Sequence, residues 1–118
     1  MGELKMAKGR QVRILDVELI RRREENRKYL LELENENLTL PYTLEAGLYK
    51  TSELPEGIHG GWESPMCELR GHFLGHWLSA AAMHYEATGD RMLKAKADEI
   101  VDLLEQCQKE NGGKWVAS

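Results

Sequence analysis

Residues 71–85 contain no Asp, Glu, Lys or Arg, in a chain that is 31% charged and 42% hydrophobic overall. Placed on a helix at about 100° per residue, this stretch has no charged face. Leu74, Leu78, Ala81 and Tyr85 lie on one side, and Phe73, Trp77 and Ala80 lie on another. The third side carries Glu68, His72, His76, Ser79 and Met83. A helix apolar nearly all round is normally buried nearly all round. Full burial of a large side chain is worth about 1.5–3 kcal/mol, so leaving several exposed would consume most of a small domain's stability of about 5–15 kcal/mol. The expectation is an inner helix, belonging to a domain larger than these 118 residues. Self-association of a small helical protein is the competing explanation.

The rest of the chain sets this segment in order. Residues 1–10 lack an apolar run and read as a flexible lead-in. Residues 11–16 alternate Val12 and Ile14 with polar neighbours, which predicts a short strand or extended segment. Asp16 is placed to cap a helix over residues 17–33, with Leu19, Leu30 and Leu33 on one face and Tyr29 beside them. Arg23 and Asn26 interrupt that stripe. The cluster at residues 21–25 reads as a solvated, ion-paired face, and Arg23 pointing into a buried polar site is the alternative. Residues 35–61 hold Pro41, Gly47, Pro55, Gly57, Gly60 and Gly61 with no sustained period. They read as a long loop with one helical turn near Leu44, and loops of that length usually serve a site. The central helix is expected to begin between Pro65 and Glu68 and to stop at Gly89, after which Asp90 caps the next one. That next helix, over residues 91–108, places Leu93, Ala97, Ile100, Leu104 and Cys107 on one stripe, with Lys94, Asp98, Asp102 and Glu105 opposite. Inner helix, tight turn and outer helix make the repeating unit of a helical array or an α/α barrel.

Composition excludes several classes of function. A net charge of −4, with Lys and Arg interspersed among acidic residues, offers no field for nucleic acid. The uncharged run is too short and too rich in Gly and His to span about 30 Å of hydrocarbon, so the expectation is a cytoplasmic protein that meets neither nucleic acid nor membrane. Cys67 and Cys107 stand outside any CxxC pattern and read as packing thiols.

Chemistry-bearing residues gather around the central helix. Glu68, His72 and His76 are spaced four apart, on consecutive turns of one helix face. His72 and His76 match an HxxxH metal-pair spacing, and Cys67 or Glu68 are the neighbours that could add a ligand. The intervening Phe73, Leu74 and Gly75 offer no general base. Lining of a polar pocket is the other reading, and satisfied core histidines a third. Trp62 beside Glu63, after Gly60 and Gly61, suits a sugar, because a ring stacks on C–H groups while a carboxylate accepts hydroxyl protons. A tryptophan plugging the core is the bland alternative. Glu63 and Glu68 could be paired carboxylates, although sequence does not fix their separation.

The blocks GGWE (60–63), LRGHFLGHWLSA (69–80), ATGD (87–90), CQ (107–108) and NGG (111–113) resemble the N-terminal part of the catalytic domain of the β-L-arabinofuranosidase group, glycoside hydrolase families 127 and 146. NRKYLL (26–31) is similar to that group's opening helix, and the likeness covers residues 11–118. It implies an all-α fold, a partial (α/α)6 barrel of which this chain supplies the N-terminal segment. It also implies a retaining glycosidase acting on L-arabinofuranosides or related plant-type glycans. Family members use a cysteine nucleophile at a zinc site of cysteines and a glutamate, with another glutamate as acid/base, all from later parts of the barrel. Neither Cys67 nor Cys107 matches, so no catalytic residue, metal ligand or cofactor is assigned to this chain, and zinc is expected only in the full-length enzyme. What matches is the pocket side. The resemblance implies that Trp62, Glu63, Arg70, His72 and His76 contact the sugar or brace the groups that do. The chain alone is expected to be inactive, with a carbohydrate substrate and the remainder of the barrel, or a second copy, as its partners. The alternative is a stand-alone helical metal-binding or oligomeric interaction module.

Overall fold

The computed structural model describes residues 2–117. Four helices carry the fold: α1 (Val17–Glu32), α2 (Asn35–Glu45), α3 (His72–Thr88) and α4 (Arg91–Glu110). Short 3-10 turns sit at Gly9–Gln11 and Gly61–Glu63, and there is no strand among the described residues. Of the two readings of residues 11–16, strand or extended segment, the extended one stands from Val12 onward. Val12 has extended backbone, but no second segment lies alongside to exchange hydrogen bonds with it, and alternation without a partner makes no sheet.

Helix α1 starts as expected, with the Asp16 carboxylate accepting the Leu19 amide at 2.9 Å. Its packed face differs from the expected stripe. Ile20, Arg23, Arg27, Leu30 and Leu31 turn inward, wholly or in part, while Leu19 and Tyr29 are about half exposed. Arg21 pairs with Glu18 and Glu25 on the wet side, as a solvated charge cluster should.

Helix α2 lies where a loop was expected. Asn37, Leu38, Thr39, Leu40 and Pro41 are all buried, so the middle of this helix is wrapped on every side and shows no amphipathic period, while Glu36, Leu44 and Glu45 near its ends are exposed. Its two threonines are satisfied within the helix, the Thr39 hydroxyl donating to the Asn35 carbonyl at 2.7 Å and the Thr43 hydroxyl to that of Leu40 at 3.2 Å, while the Asn37 amide donates outside it, to the Glu56 carbonyl at 2.9 Å. Pro41 removes one main-chain donor from the interior, a cost that packing offsets.

Helices α3 and α4 share the largest interface, and α2 packs on α4. The core is formed by Leu30, Leu38, Leu74, Trp77, Ala81, Leu93 and Ile100. Trp77 is 1% exposed and its indole N–H donates to the Leu30 carbonyl at 3.0 Å, tying α3 to the end of α1. Helix α3 ends at Gly89, whose left-handed φ of 72° returns its amide to the Tyr85 carbonyl. Asp90 then caps α4, accepting the Met92 and Leu93 amides at 3.0 and 3.3 Å. The stripe on α4 is as expected: Leu93, Ile100 and Cys107 are buried, and burial pushes the Cys107 thiol pKa up. The N-terminal turn docks on the far end of α3, where Arg10 donates to the Glu86 carbonyl at 3.2 Å and stacks 5.3 Å from the Tyr85 ring centroid.

Helix α3 is buried on one side only. Leu74, Trp77, Ala81 and His84 face the core, whereas His72, Gly75, His76, Ser79, Ala82 and Met83 are exposed and carry no charge to suit them to water. The burial expected all round is therefore met by α1, α2 and α4 on one face and left unmet on the other. Among the described residues, no helix is long and apolar enough to cross a membrane.

Candidate functional site

The site is built on the start of α3, four residues later than the latest start expected. Gly71 adopts a left-handed φ of 94°, which separates residues 64–70, a series of turns, from the helix proper. A Cβ at Gly71 would also lie 3.1 Å from the Tyr42 hydroxyl oxygen. Conformation and space thus both require glycine. A glycine N-cap has no side chain to satisfy the first helical amides. Glu63 supplies the missing group from the preceding 3-10 turn: its two carboxylate oxygens accept the amides of Gly71 and Phe73, each at 2.9 Å. A negative charge there also suits the positive end of the helix dipole. From the other side, the Tyr42 hydroxyl on α2 donates to the Gly71 carbonyl at 2.7 Å. Burial, and then the Glu63 charge, push the Tyr42 hydroxyl pKa up.

The five residues expected to form one site divide into two groups. Trp62, Glu63, His72 and His76, with Leu69 and Phe73, line an apolar groove of about 330 Å³. Trp62 is 74% exposed there, so it is not a core plug. Arg70 lies apart from this groove. It lines a second, larger depression of about 680 Å³ between α2 and α3, together with Tyr42, Glu45 and Glu68, and His72 borders both. His72 is oriented by its backbone neighbour at 2.6 Å, the Leu69 carbonyl. A carbonyl only accepts, so Nδ1 donates to it and Nε2 is the ring nitrogen left for a ligand.

Other candidates are placed differently from the helical spacing. Glu68 lies in the turns before α3 and so is off the helical line of His72 and His76. Glu63 and Glu68 line different depressions, and both Glu63 oxygens already take amide protons, so the two do not form an acid/base pair. His84 is buried, with Nε2 3.6 Å from the Asp90 carboxylate. Asp90 also pairs with Arg27 on α1, and that guanidinium, with the two capping amides, holds the Asp90 carboxyl below its ordinary range. Cys67 is half-buried within the turns. Tyr42 and Glu45 were not expected at the site. The only signal for them was the apolar residues of α2, hidden by the absence of a period.

Among the described residues, no three His, Cys, Asp or Glu side chains converge to hold a metal ion. The side chains present here do not fit the zinc of the glycosidase group, and no chemical step is derived through it. The geometry suits recognition: an exposed indole, exposed imidazoles on successive turns, and a helix start fixed by Glu63 and Tyr42.

Comparison with curated proteins and with solved structures gave no match. A family model described as β-L-arabinofuranosidase, GH127 catalytic domain, matches residues 11–113. The match spans all four helices and the Trp62 groove, and the all-helical architecture is that of part of an α/α barrel. This chain belongs to the GH127 β-L-arabinofuranosidase catalytic-domain family.

Proposed function

We propose that this chain supplies the opening helices of a retaining glycosidase acting on L-arabinofuranosides or related plant-type glycans. Its part is to bind the sugar, with the nucleophile and any zinc held by other segments of the barrel. The observation that carries this reading is the groove where Trp62 stands exposed beside His72 and His76. Its volume of about 330 Å³ is at the small end of ligand sites. The indole offers a flat face to sugar C–H groups, and imidazole nitrogens exchange hydrogen bonds with hydroxyls. Glu63 braces this arrangement rather than touching sugar, because both of its oxygens hold the start of α3. The uncharged outer side of α3 supports the remainder of the barrel as its covering partner, with a second copy of the chain as the other candidate.

Two measurements test this reading. Calorimetric titration with methyl β-L-arabinofuranoside is expected to give saturable binding at about millimolar affinity, weakened about tenfold by Trp62→Ala. The chain is expected to release no phenol from an aryl β-L-arabinofuranoside. Loss of all binding contradicts the sugar groove, and turnover by the purified chain contradicts a recognition-only role.

A further inference from the structure

We infer that Asn111 is a site of spontaneous covalent modification, where loss of ammonia from the side-chain amide releases the segment that borders the depression between α2 and α3. Of the asparagines in the chain, Asn26, Asn35, Asn37 and Asn111, only Asn111 is followed by glycine. With no side chain on Gly112, its amide nitrogen is unhindered for attack on the side-chain carbonyl carbon of Asn111. That attack closes a five-membered succinimide and expels ammonia. Water then opens the ring at either carbonyl, giving aspartate or isoaspartate. One water is consumed and one ammonia leaves, with no oxidant or cofactor.

Position singles out Asn111 as well. Asn26 lies within α1, and Asn35 and Asn37 lie within α2, with Asn37 buried. Asn111 stands just past the end of α4, half-buried, ahead of exposed Gly112 and Gly113. The folded turn slows the reaction without preventing it. The Gly112 amide donates to the Lys109 carbonyl at 3.2 Å, and the Asn111 side chain donates to the Val116 carbonyl at 2.8 Å. Both reacting groups are therefore occupied until the turn opens, and helix ends are among the parts of a fold that open most readily.

The same hydrogen bond decides the consequence. A carboxylate only accepts, so the new carboxylate cannot donate to the Val116 carbonyl. Its charge also stands at the negative end of the α4 dipole. Val116 and Ala117 line the depression with Pro41, Tyr42 and Gly75, and loss of the Asn111 tie frees that wall. A longer bond from Gln108 to the Lys114 carbonyl, at 3.4 Å, remains.

The test is incubation of the whole chain at mildly alkaline pH, where the attacking nitrogen is more readily deprotonated. Peptide mapping by mass spectrometry, with chromatographic separation of aspartate from isoaspartate, reads the outcome. Conversion is expected at Asn111 ahead of the other three asparagines, with both products formed, and about tenfold faster in guanidinium chloride than in the folded chain. Asn111→Gln, which would have to close a six-membered ring, is expected to stay unconverted over the same period. Asn111→Asp installs one product directly, and the resonances of residues 114–117 are expected to move toward unfolded-chain positions while those of Leu93 and Ile100 stay in place. No conversion at Asn111, or conversion of another asparagine first, overturns the site. Equal rates in the folded and unfolded chain overturn its control by the turn, and unmoved resonances at residues 114–117 in Asn111→Asp overturn the release of the wall.

Discussion

Helix α4 begins with a cap of its own, whereas helix α3 borrows one. Asp90 precedes α4 directly and accepts the Met92 and Leu93 amides, so its cap is a short-range feature of the chain. Gly71 precedes α3 without a side chain, and the capping carboxylate comes from Glu63, eight residues before Gly71 and ten before Phe73. The difference follows from what each start has to do. The start of α4 is a structural corner, where Asp90 also meets Arg27 and His84. The start of α3 presents His72 to two depressions, and a glycine there leaves backbone and space clear while Glu63 and Tyr42 hold it from outside. A borrowed cap ties the loop carrying Trp62 to the helix carrying the histidines, so the parts of the groove are held in register.

Five substitutions at four positions can break or sharpen this contrast. The largest effect is expected at the α4 corner. Asp90→Ala removes a cap and the partner of Arg27 together, and on the order of 2–3 kcal/mol of stability is expected to be lost in denaturant titration. Asp90→Asn keeps the capping oxygen and isolates the charge. Since the folded pKa of Asp90 is lowered, its contribution is fully present above the ordinary aspartate pKa and is lost as pH falls through the depressed folded value. The acid side of the stability curve should therefore be flatter in Asp90→Asn than in the parent chain.

Glu63→Ala comes next, at about 1–2 kcal/mol, because two helix-start amides lose a charged acceptor. Hydrogen exchange distinguishes the two starts: the Gly71 and Phe73 amides should exchange faster in this variant while those of Met92 and Leu93 do not. Tyr42→Phe removes one hydrogen bond from the same point and is expected to cost about 1 kcal/mol. The smallest effect has the opposite sign. Gly75→Ala should stabilise by about 0.5–1 kcal/mol, since alanine is favoured over glycine inside a helix and its Cβ meets no neighbour. Destabilisation there would mean that α3 is packed on the side described as open.

Short-range physics made much of the molecule legible in the sequence. Asp16 and Asp90 caps, the Gly89 stop and the α4 stripe depend on neighbours within one or two turns, and all stand where residue spacing places them. Helix α2 was hidden because burial of its middle on every side erases the period by which helices are recognised, and Pro41 with the glycines that follow suggested a loop instead. The inward turn of Arg27 was hidden because its partner Asp90 lies 63 residues away, whereas an inward Arg23 was one of the readings that its place in the stripe allowed. At the site, Trp62, His72 and His76 were legible as residue types suited to sugar, and the groove brings them together. Their separation from Arg70 was not legible. It depends on the left-handed turn at Gly71 and on α2 closing the far side, which are tertiary features that local spacing does not encode.

The central claim is that α3 has two sides, one committed to the core and one whose first turns, with His72 and His76, line a groove for a glycan. A chemical-shift titration of the histidine and tryptophan side chains with methyl β-L-arabinofuranoside tests it most directly. Perturbations concentrated at Trp62, His72 and His76, with Trp77 and His84 unmoved, are the predicted result. Shifts at Trp77 and His84 without any at Trp62, or no shift at all, would contradict it.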